Sequence, residues 1–340
     1  SHKGEGVKNM KKVTLIPGDG IGPEVSEAVV KIFHAANAPI EFEKVEAGSH
    51  MIETYGAPIH TSVIEAIKKN KVALKGPITT PIGKGFKSVN VTLRQALKLY
   101  ANLRPVKSIP GIKTRYENID LIIVRENTED LYMGIESMVD KNTAESTKRI
   151  TRVGSEKIAK FACEIATKQK RKKITSGHKA NIMKLADGLF ISSTKKICSQ
   201  YENIQYEEQI IDALCMNLVM KPEAFDVILL PNLYGDIVSD LCAGFVGGLG
   251  LIPSGNLGDD YALFEAVHGS APDIAGQNLA NPTALLQSSI MMLRHLEEYE
   301  IADQIENAIF AVYKEGQILT RDIGGTASTT EFTQAVIDHL

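Results

Sequence analysis

Along this chain, short apolar runs alternate with segments whose apolar positions recur every three or four residues. KVTLIP, residues 12–17, is a compact apolar strand closed by the glycine turn GDGIG at 18–22. Pro23 suits a first helical turn. It opens a predicted helix over Glu24–Ala36, with Val25, Val29, Ile32 and Phe33 on one face. The alternation continues with a helix over Ser62–Lys69, a strand in KVALKG and a strand over Asp120–Val124. A helix over Ser155–Gln169, a strand over Lys173–Thr175, a helix over Ala180–Gln200, a strand over Phe225–Leu230 and a helix over Asp236–Phe245 follow. From Asn281 onward the tail reads as mostly helical. Strands alternating with helices predict an α/β fold with a substantially parallel sheet. Residues 126–150 break this rhythm: they alternate weakly, are rich in Thr, Ser and Glu, and read as projecting β-ribbons that a second subunit can pair with.

Composition narrows the classes. The 340 residues allow two domains, or one large domain with an insertion. With 44% hydrophobic and 23% charged residues the chain is an ordinary globular one, not a disordered or collagen-like one. A net charge of −3 argues against a nucleic-acid partner, and the one dense basic run, KQKRKK at 168–173, reads as a solvated helix end. Cys163, Cys198, Cys215 and Cys242 form no CxxC pair, which favours a reducing compartment over structural zinc or a secreted disulfide framework. The longest apolar run, Leu241–Pro253, is broken by glycines and too short for a membrane span, and the opening SHKGEGVKNMKK lacks the apolar stretch of a secretory signal.

Six strings carry candidate chemistry. GDGIG is not the GxGxxG dinucleotide fingerprint, and reads as a tight strand-to-helix connection. KSVNVTLRQALKLYANLR supplies Ser88, Asn90, Arg94 and Arg104; on a helix over Val91–Leu99, Arg94 lies one turn from Asn90. Guanidinium forks suit carboxylates, although an ordinary charged surface helix reads equally well. In RENTEDLY, Arg125 ends a strongly apolar strand, where α/β folds place ligand contacts, and Tyr132 is either a proton donor or a packed aromatic. Lys179 in HKANIMK stands at a strand-to-helix junction, where burial and neighbouring cations would lower its pKa toward general-base range; a solvated surface lysine is the plain alternative. Asp236 and Asp240 in YGDIVSD are four apart on one helix face, and with Asp212 make an all-oxygen carboxylate set suited to Mg²⁺ or Mn²⁺. A helix-capping role would explain one of these aspartates but not three. HGSAPDIAGQNLANP, residues 268–282, is a long ordered loop of the kind that is usually functional.

Taken in order, LIPGDGIGPE, LYANLRP, RENTEDLY, HKANIMK, NLYGDIVSD, GGLGLIPSGNLG and HGSAPDIAGQNLANP resemble the β-decarboxylating dehydrogenase family of isocitrate, homoisocitrate and isopropylmalate enzymes, over about 12–340. The resemblance implies a fold that is not a Rossmann fold. A large domain comes from both chain ends (1–99 and 247–340), a small central domain spans 100–246, and a β clasp near 130–150 joins two subunits. It implies metal-dependent oxidation and decarboxylation of a malate-type hydroxy acid. Arg94, Arg104 and Arg125 would hold the malate carboxylates, and Tyr132 would reprotonate C3. Lys179 of the neighbouring subunit would help to remove the C2 hydroxyl proton. Asp236 and Asp240, with Asp212 of the partner subunit, would hold Mg²⁺ or Mn²⁺. Thr79, Thr80, Glu265, His268, Gly269, Asp273, Ile274 and Asn281 would lie along the dinucleotide.

The same resemblance narrows substrate and cofactor. Ser88 and Asn90 match the positions that hydrogen-bond isocitrate's extra carboxylate. A branched alkyl there would leave polar groups unpaired at a cost of ~1–3 kcal/mol. Isocitrate is therefore expected, to be converted to 2-oxoglutarate and CO2, with homoisocitrate the close competitor. Where NADP-dependent members carry Lys and Tyr, this chain carries Asp273 and Ile274. An aspartate accepts from a ribose hydroxyl and repels a 2′-phosphate, so NAD is expected. A homodimer or higher oligomer in the cytoplasm, or in the mitochondrial matrix of a eukaryote, goes with that reading. A non-catalytic regulatory subunit is the alternative of a different class; retention of Tyr132, Lys179, Asp236 and Asp240 argues against it.

Overall fold

The computed structural model of the chain describes residues 9–79, 85 and 87–340. The elements begin with β1 (Lys11–Ile16), α1 (Gly22–Ala35), β2 (Ile40–Lys44), α2 (Ile52–Tyr55), α3 (Thr61–Asn70) and β3 (Val72–Lys75). The central stretch holds α4 (Val89–Ala96), β4 (Ala101–Lys107), β5 (Asp120–Glu126), β6 (Glu136–Asp140), β7 (Thr143–Ser146), α5 (Arg152–Lys168), β8 (Lys173–His178), α6 (Ala186–Cys198), β9 (Gln205–Ile210), α7 (Ile211–Met220), β10 (Val227–Leu230), α8 (Asn232–Val246) and β11 (Pro253–Leu257). The chain ends with β12 (Ala262–Ala266), α9 (Thr283–His295), α10 (Tyr299–Glu315) and α11 (Thr329–Asp338). Among the described residues no helix is long and apolar enough to cross a membrane.

Internal contacts divide the chain into a terminal unit, 1–89 plus 263–340, and a central unit, 90–262. The sequence reading drew its boundaries at 99/100 and 246/247. The segment 247–262 groups with the central unit because β11 pairs antiparallel with β4, Gly255 opposite Leu103. In the terminal unit the strand order is β2-β1-β3-β12, with β1 parallel to both β2 and β3. In the central unit it is β11-β4-β5-β10-β8-β9; β5, β10, β8 and β9 run parallel, and β4 is antiparallel to β5. β5 shows why IDLIIV is continuously apolar. Leu121, Ile122, Ile123 and Val124 are all at most 1% exposed, as a strand covered on both faces requires.

Two local expectations change. The helix expected over Ala180–Gln200 starts only at Ala186. Residues 180–185 are turns because Asp187 accepts a hydrogen bond from the backbone N–H of Lys179, which folds that stretch back on itself. The expected ribbons are one two-stranded hairpin, β6 with β7, exposed along its length and irregular between Met138 and Asp140.

Candidate active site

The central unit gathers five of the residues singled out from sequence. Arg125 is the penultimate residue of the buried strand β5 and is itself 1% exposed. Its Nε donates to Asn232 Oδ1 at 2.9 Å and its Nη1 to Asp236 Oδ1 at 2.8 Å, both acceptors on α8. The guanidinium reaches α8 only because residue 235 is glycine: a Cβ there would fall 2.7 Å from Arg125 Cβ. The Tyr132 hydroxyl donates to Asp236 Oδ2 at 2.6 Å, and its ring centre lies 5.0 Å from Arg125 Cζ. Arg104, 4% exposed on β4, donates to the Ser239 hydroxyl and lies 3.8 Å from Asp236 and 3.6 Å from Asp240.

Electrostatics bind this group together. Burial, then the neighbouring Arg104 and Arg94, pull the Arg125 pKa down to about 10. Burial and the Asp236 carboxylate push the Tyr132 phenol up to about 12, so it holds its proton at neutral pH. Burial works to raise the Asp236 pKa, but Arg125, the Tyr132 hydrogen bond and Arg104 hold it below the usual range. Asp240 goes the other way, raised by burial with Asp236 adding to it and only Arg104 and Arg125 opposing. Arg94, 7% exposed, is one turn beyond Asn90 on α4, whose Oδ1 is buried without a hydrogen-bond partner among the described residues. Ser88, partly buried, immediately precedes α4.

Lys179 and Asp212 stand apart from this group. Lys179 Nζ donates to Asp212 Oδ1 at 2.6 Å, and this contact lowers the Asp212 pKa. Where cations were expected beside Lys179, its neighbour is thus a carboxylate. Among the described residues no hydrogen bond or ion pair joins either residue to Asp236 or Asp240, and no three potential ligands cluster as a metal site. Asp236 and Asp240, with side chains 43% and 52% exposed, still present carboxylate oxygens on one face of α8. Such hard oxygen donors fit a Mg²⁺ or Mn²⁺ ion that takes its remaining ligands from elsewhere.

The dinucleotide candidates fall in the terminal unit, except Thr80, which lies outside the described residues. The Thr79 backbone N–H donates to Asp19 Oδ2 at 2.9 Å, and its hydroxyl meets that of Ser270 at 2.6 Å. Asp19 also accepts from the Ser49 backbone N–H and hydroxyl, so this residue of the glycine turn ties three segments together. Gly20, at φ +59°, lets the turn press against the long loop: Ile21 N–H donates to Ser270 O at 2.8 Å, and a Cβ at 20 would fall 2.7 Å from the Ser270 carbonyl carbon. GDGIG is thus a tight connection that carries the 268–281 loop. His268 bonds through Nδ1 to Gly269 O at 2.9 Å, and burial lowers its pKa. Asp273 is exposed, Ile274 partly buried, and Asn281 donates to Asp322 Oδ2 at 3.0 Å. Glu265 is buried and paired with Lys75 Nζ at 2.9 Å. Asp19, Asn232, Ser239 and Asp322 escaped sequence reasoning; the first three lie inside or beside motifs already quoted, but nothing in their spacing marks them as partners.

Comparison with known proteins identifies the family. The sequence family described as isocitrate/isopropylmalate dehydrogenase matches residues 12–336. The chain is 55% identical to a mitochondrial isocitrate dehydrogenase [NAD] regulatory subunit from Dictyostelium discoideum, over 97% of this chain and 92% of that one. It is 54% identical to the mitochondrial isocitrate dehydrogenase [NAD] catalytic subunit 5 of Arabidopsis thaliana, over 96% and 88%. The crystal structure of isocitrate dehydrogenase from Methylococcus capsulatus superposes with a TM-score of 0.94 at 45% identity, covering 97% of this chain and 99% of that one. The fold and the enzyme class expected from the motifs are therefore borne out: the chain belongs to the isocitrate/isopropylmalate dehydrogenase family, whose members are decarboxylating oxidoreductases.

Proposed function

We propose that this chain oxidises and decarboxylates isocitrate to 2-oxoglutarate and CO2, with NAD as hydride acceptor and Mg²⁺ or Mn²⁺ as resident ion. The observation that carries this reading is the gathering of three buried guanidinium groups, Arg94, Arg104 and Arg125, around the Asp236 carboxylate and the Tyr132 phenol. Guanidinium forks at that density suit a substrate carrying several carboxylates. Asn90 and Ser88, with an amide and a hydroxyl, suit the third carboxylate better than an alkyl group.

In this reading Arg94, Arg104 and Arg125 orient the substrate. Lys179 of a second subunit takes part in removing the C2 hydroxyl proton, and a bound dinucleotide would accept the C2 hydride. The C3–carboxylate bond then breaks, CO2 departs, and the electron pair left on C3 takes the Tyr132 proton. A phenol that keeps its proton to about pH 12 suits that last step. Asp236 and Asp240, with Asp212 of a second subunit, would hold the ion, which would supply Lewis-acid stabilisation of the developing charge. Thr79, Thr80, His268, Gly269, Asp273, Ile274 and Asn281 receive the dinucleotide, and the exposed Asp273 carboxylate favours NAD over NADP.

A second subunit of the same fold is part of the proposal. The central unit exposes Ile182 (69%), Leu185 (90%), Met220 (65%) and Ile237 (57%), apolar area that an intersubunit contact would cover. The bare β6–β7 hairpin is a form that is marginal without a partner. The Dictyostelium and Arabidopsis relatives are mitochondrial, so a matrix location accompanies this function in a eukaryotic cell, and the cytoplasm in a bacterial one.

The test is NADH formation by the purified chain alone with isocitrate, Mg²⁺ and NAD, compared with homoisocitrate and 3-isopropylmalate. Equal or better turnover of isopropylmalate would remove the isocitrate assignment. The Dictyostelium relative's name favours a regulatory reading; an inactive chain that gains activity only with another subunit would establish it.

A further inference from the structure

Three charged side chains that the proposed steps do not use meet inside the central unit. Asp130 and Asp187 have no exposed surface, and Lys148, just beyond β7, keeps 10% of its side chain exposed. Lys148 Nζ lies 2.9 Å from Asp187 Oδ1, 3.6 Å from Asp130 Oδ1 and 4.2 Å from the centre of the Tyr234 ring. The other oxygen of each acid reaches a different part of the catalytic framework. Asp187 Oδ2 accepts from the Lys179 backbone N–H at 2.6 Å and from the Tyr234 hydroxyl at 3.0 Å. Asp130 Oδ2 accepts from Leu233 N–H at 3.0 Å, in the first turn of α8, whose own N-cap is Pro231 and offers no side-chain cap. Asp130 thus caps, from outside, the helix that carries Asp236 and Asp240. Its Oδ1 accepts from Leu131 N–H at 2.9 Å, and its backbone stands at φ +69°, two residues before Tyr132.

Both features are costly. A non-glycine residue at positive φ is strained, and a charge taken from water must be paired. Two buried carboxylates share one ammonium, so Lys148 holds both in place. Asp187 grips the Lys179 peptide rather than its ammonium, and Asp130 fixes the turn that aims the Tyr132 phenol. Arg125 and Arg104 are held by other side chains of α8, Asn232 and Asp236 for the first and Ser239 for the second, none of which bonds to the Lys148, Asp130 or Asp187 side chains among the described residues. We infer that Lys148, Asp130 and Asp187 form a buried brace that positions the two proton-handling residues, Tyr132 and Lys179, without touching substrate. The inference rests on the proposed function. It separates catalytic positioning from substrate anchoring: loosening the brace lowers turnover and spares affinity.

The experiment compares wild type with Lys148→Met, Lys148→Arg and Tyr234→Phe in the full chain. Lys148→Met is expected to lower kcat about 10- to 100-fold with KM for isocitrate within about threefold, and Lys148→Arg to recover most of the loss. Hydrogen exchange at the Lys179 amide, which Asp187 protects, should quicken at least about tenfold in Lys148→Met. Wild-type kcat in a folded Lys148→Met chain, a rise in KM alone, or an arginine variant no better than the methionine one would overturn the brace. If Lys148→Met does not fold, Tyr234→Phe decides, since it keeps every charge and removes one hydrogen bond to Asp187. A kcat lowered about three- to tenfold at unchanged KM supports the brace, and an unchanged kcat overturns it. A wild-type chain that makes no NADH overturns the functional reading and the brace together, whereas an active wild type with indifferent variants removes the brace alone.

Discussion

The Tyr132 hydroxyl and Asp236 are joined by a 2.6 Å hydrogen bond to Oδ2, while Oδ1 of the same carboxylate is held by Arg125 at 2.8 Å. One aspartate therefore aligns the proposed proton donor with one of the proposed carboxylate anchors. Removing the phenol hydroxyl leaves the anchor in place. Tyr132→Phe is expected to lower overall turnover by roughly 10²- to 10⁴-fold, with KM for isocitrate little changed. Decarboxylation and reprotonation should suffer more than reduction of the keto acid by NADH. Equal loss of the two partial reactions, measured separately, would count against a proton-donor role.

Asp240 makes no hydrogen bond to Tyr132 or Arg125 among the described residues and lies 3.6 Å from Arg104, so its replacement probes the proposed ion while leaving the proposed proton donor and the Arg125 anchor in place. Chelation of the wild-type chain should abolish NADH formation, and Mg²⁺ or Mn²⁺ should restore it. Asp240→Asn should raise the ion concentration for half-maximal activity by roughly tenfold or more, since a charged ligand becomes a neutral one. An unchanged ion requirement would place the ion elsewhere.

The proposed preference for NAD rests on one exposed carboxylate, Asp273. At ~4 Å and an effective dielectric near 20, a like charge against a 2′-phosphate costs about 4 kcal/mol before screening, and a quarter of that approaches a tenfold preference. Asp273→Lys together with Ile274→Tyr should shift the NAD/NADP ratio of kcat/KM toward NADP by at least about tenfold. An unchanged ratio would show that another contact governs the choice.

Glu126 gives a pH signature independent of catalysis. It is 3% exposed, and burial pushes its pKa up to about 7 despite hydrogen bonds from the Thr128 hydroxyl and the Thr128 and Glu129 backbone N–H groups. Between the ordinary glutamate range and pH 7 the folded chain keeps a proton that the unfolded chain has released. Folding stability should therefore fall as pH rises through that window, by up to about 3 kcal/mol, and level off above pH 7. Urea unfolding across this range should show the slope in wild type and a flatter profile in Glu126→Gln. Parallel profiles would assign the slope to other groups.

What the sequence revealed follows from how local each signal is. β5 was legible because four consecutive buried residues leave no room for polar ones, and α8 because its aspartates repeat at helical spacing. Arg125 and Tyr132 stood out because they lie at the end of β5 and just beyond it, whereas Arg104, in the middle of β4, stood out only through its motif. Asp130 and Asp187 were passed over because their work depends on partners far away in the chain: Asp130 caps Leu233, 103 residues on, and Asp187 meets Lys148 from another segment. The helix expected from Ala180 starts six residues late for a shorter-range reason: the Asp187 carboxylate, eight residues on, takes the Lys179 N–H and closes the intervening stretch into turns. Lys179 and Asp212 are expected from the motifs to act at a neighbouring subunit's site, and within one chain they pair with each other.

Gly235 turns the absence of a side chain into a requirement for seating Arg125. Because Arg125 passes over it so closely, even the smallest substitution, alanine, would push the guanidinium off Asn232 and Asp236. Among natural variants of this chain, a change at that uncharged and chemically inert position should be as damaging as loss of the arginine itself, and a screen that scores residues by reactivity would overlook it.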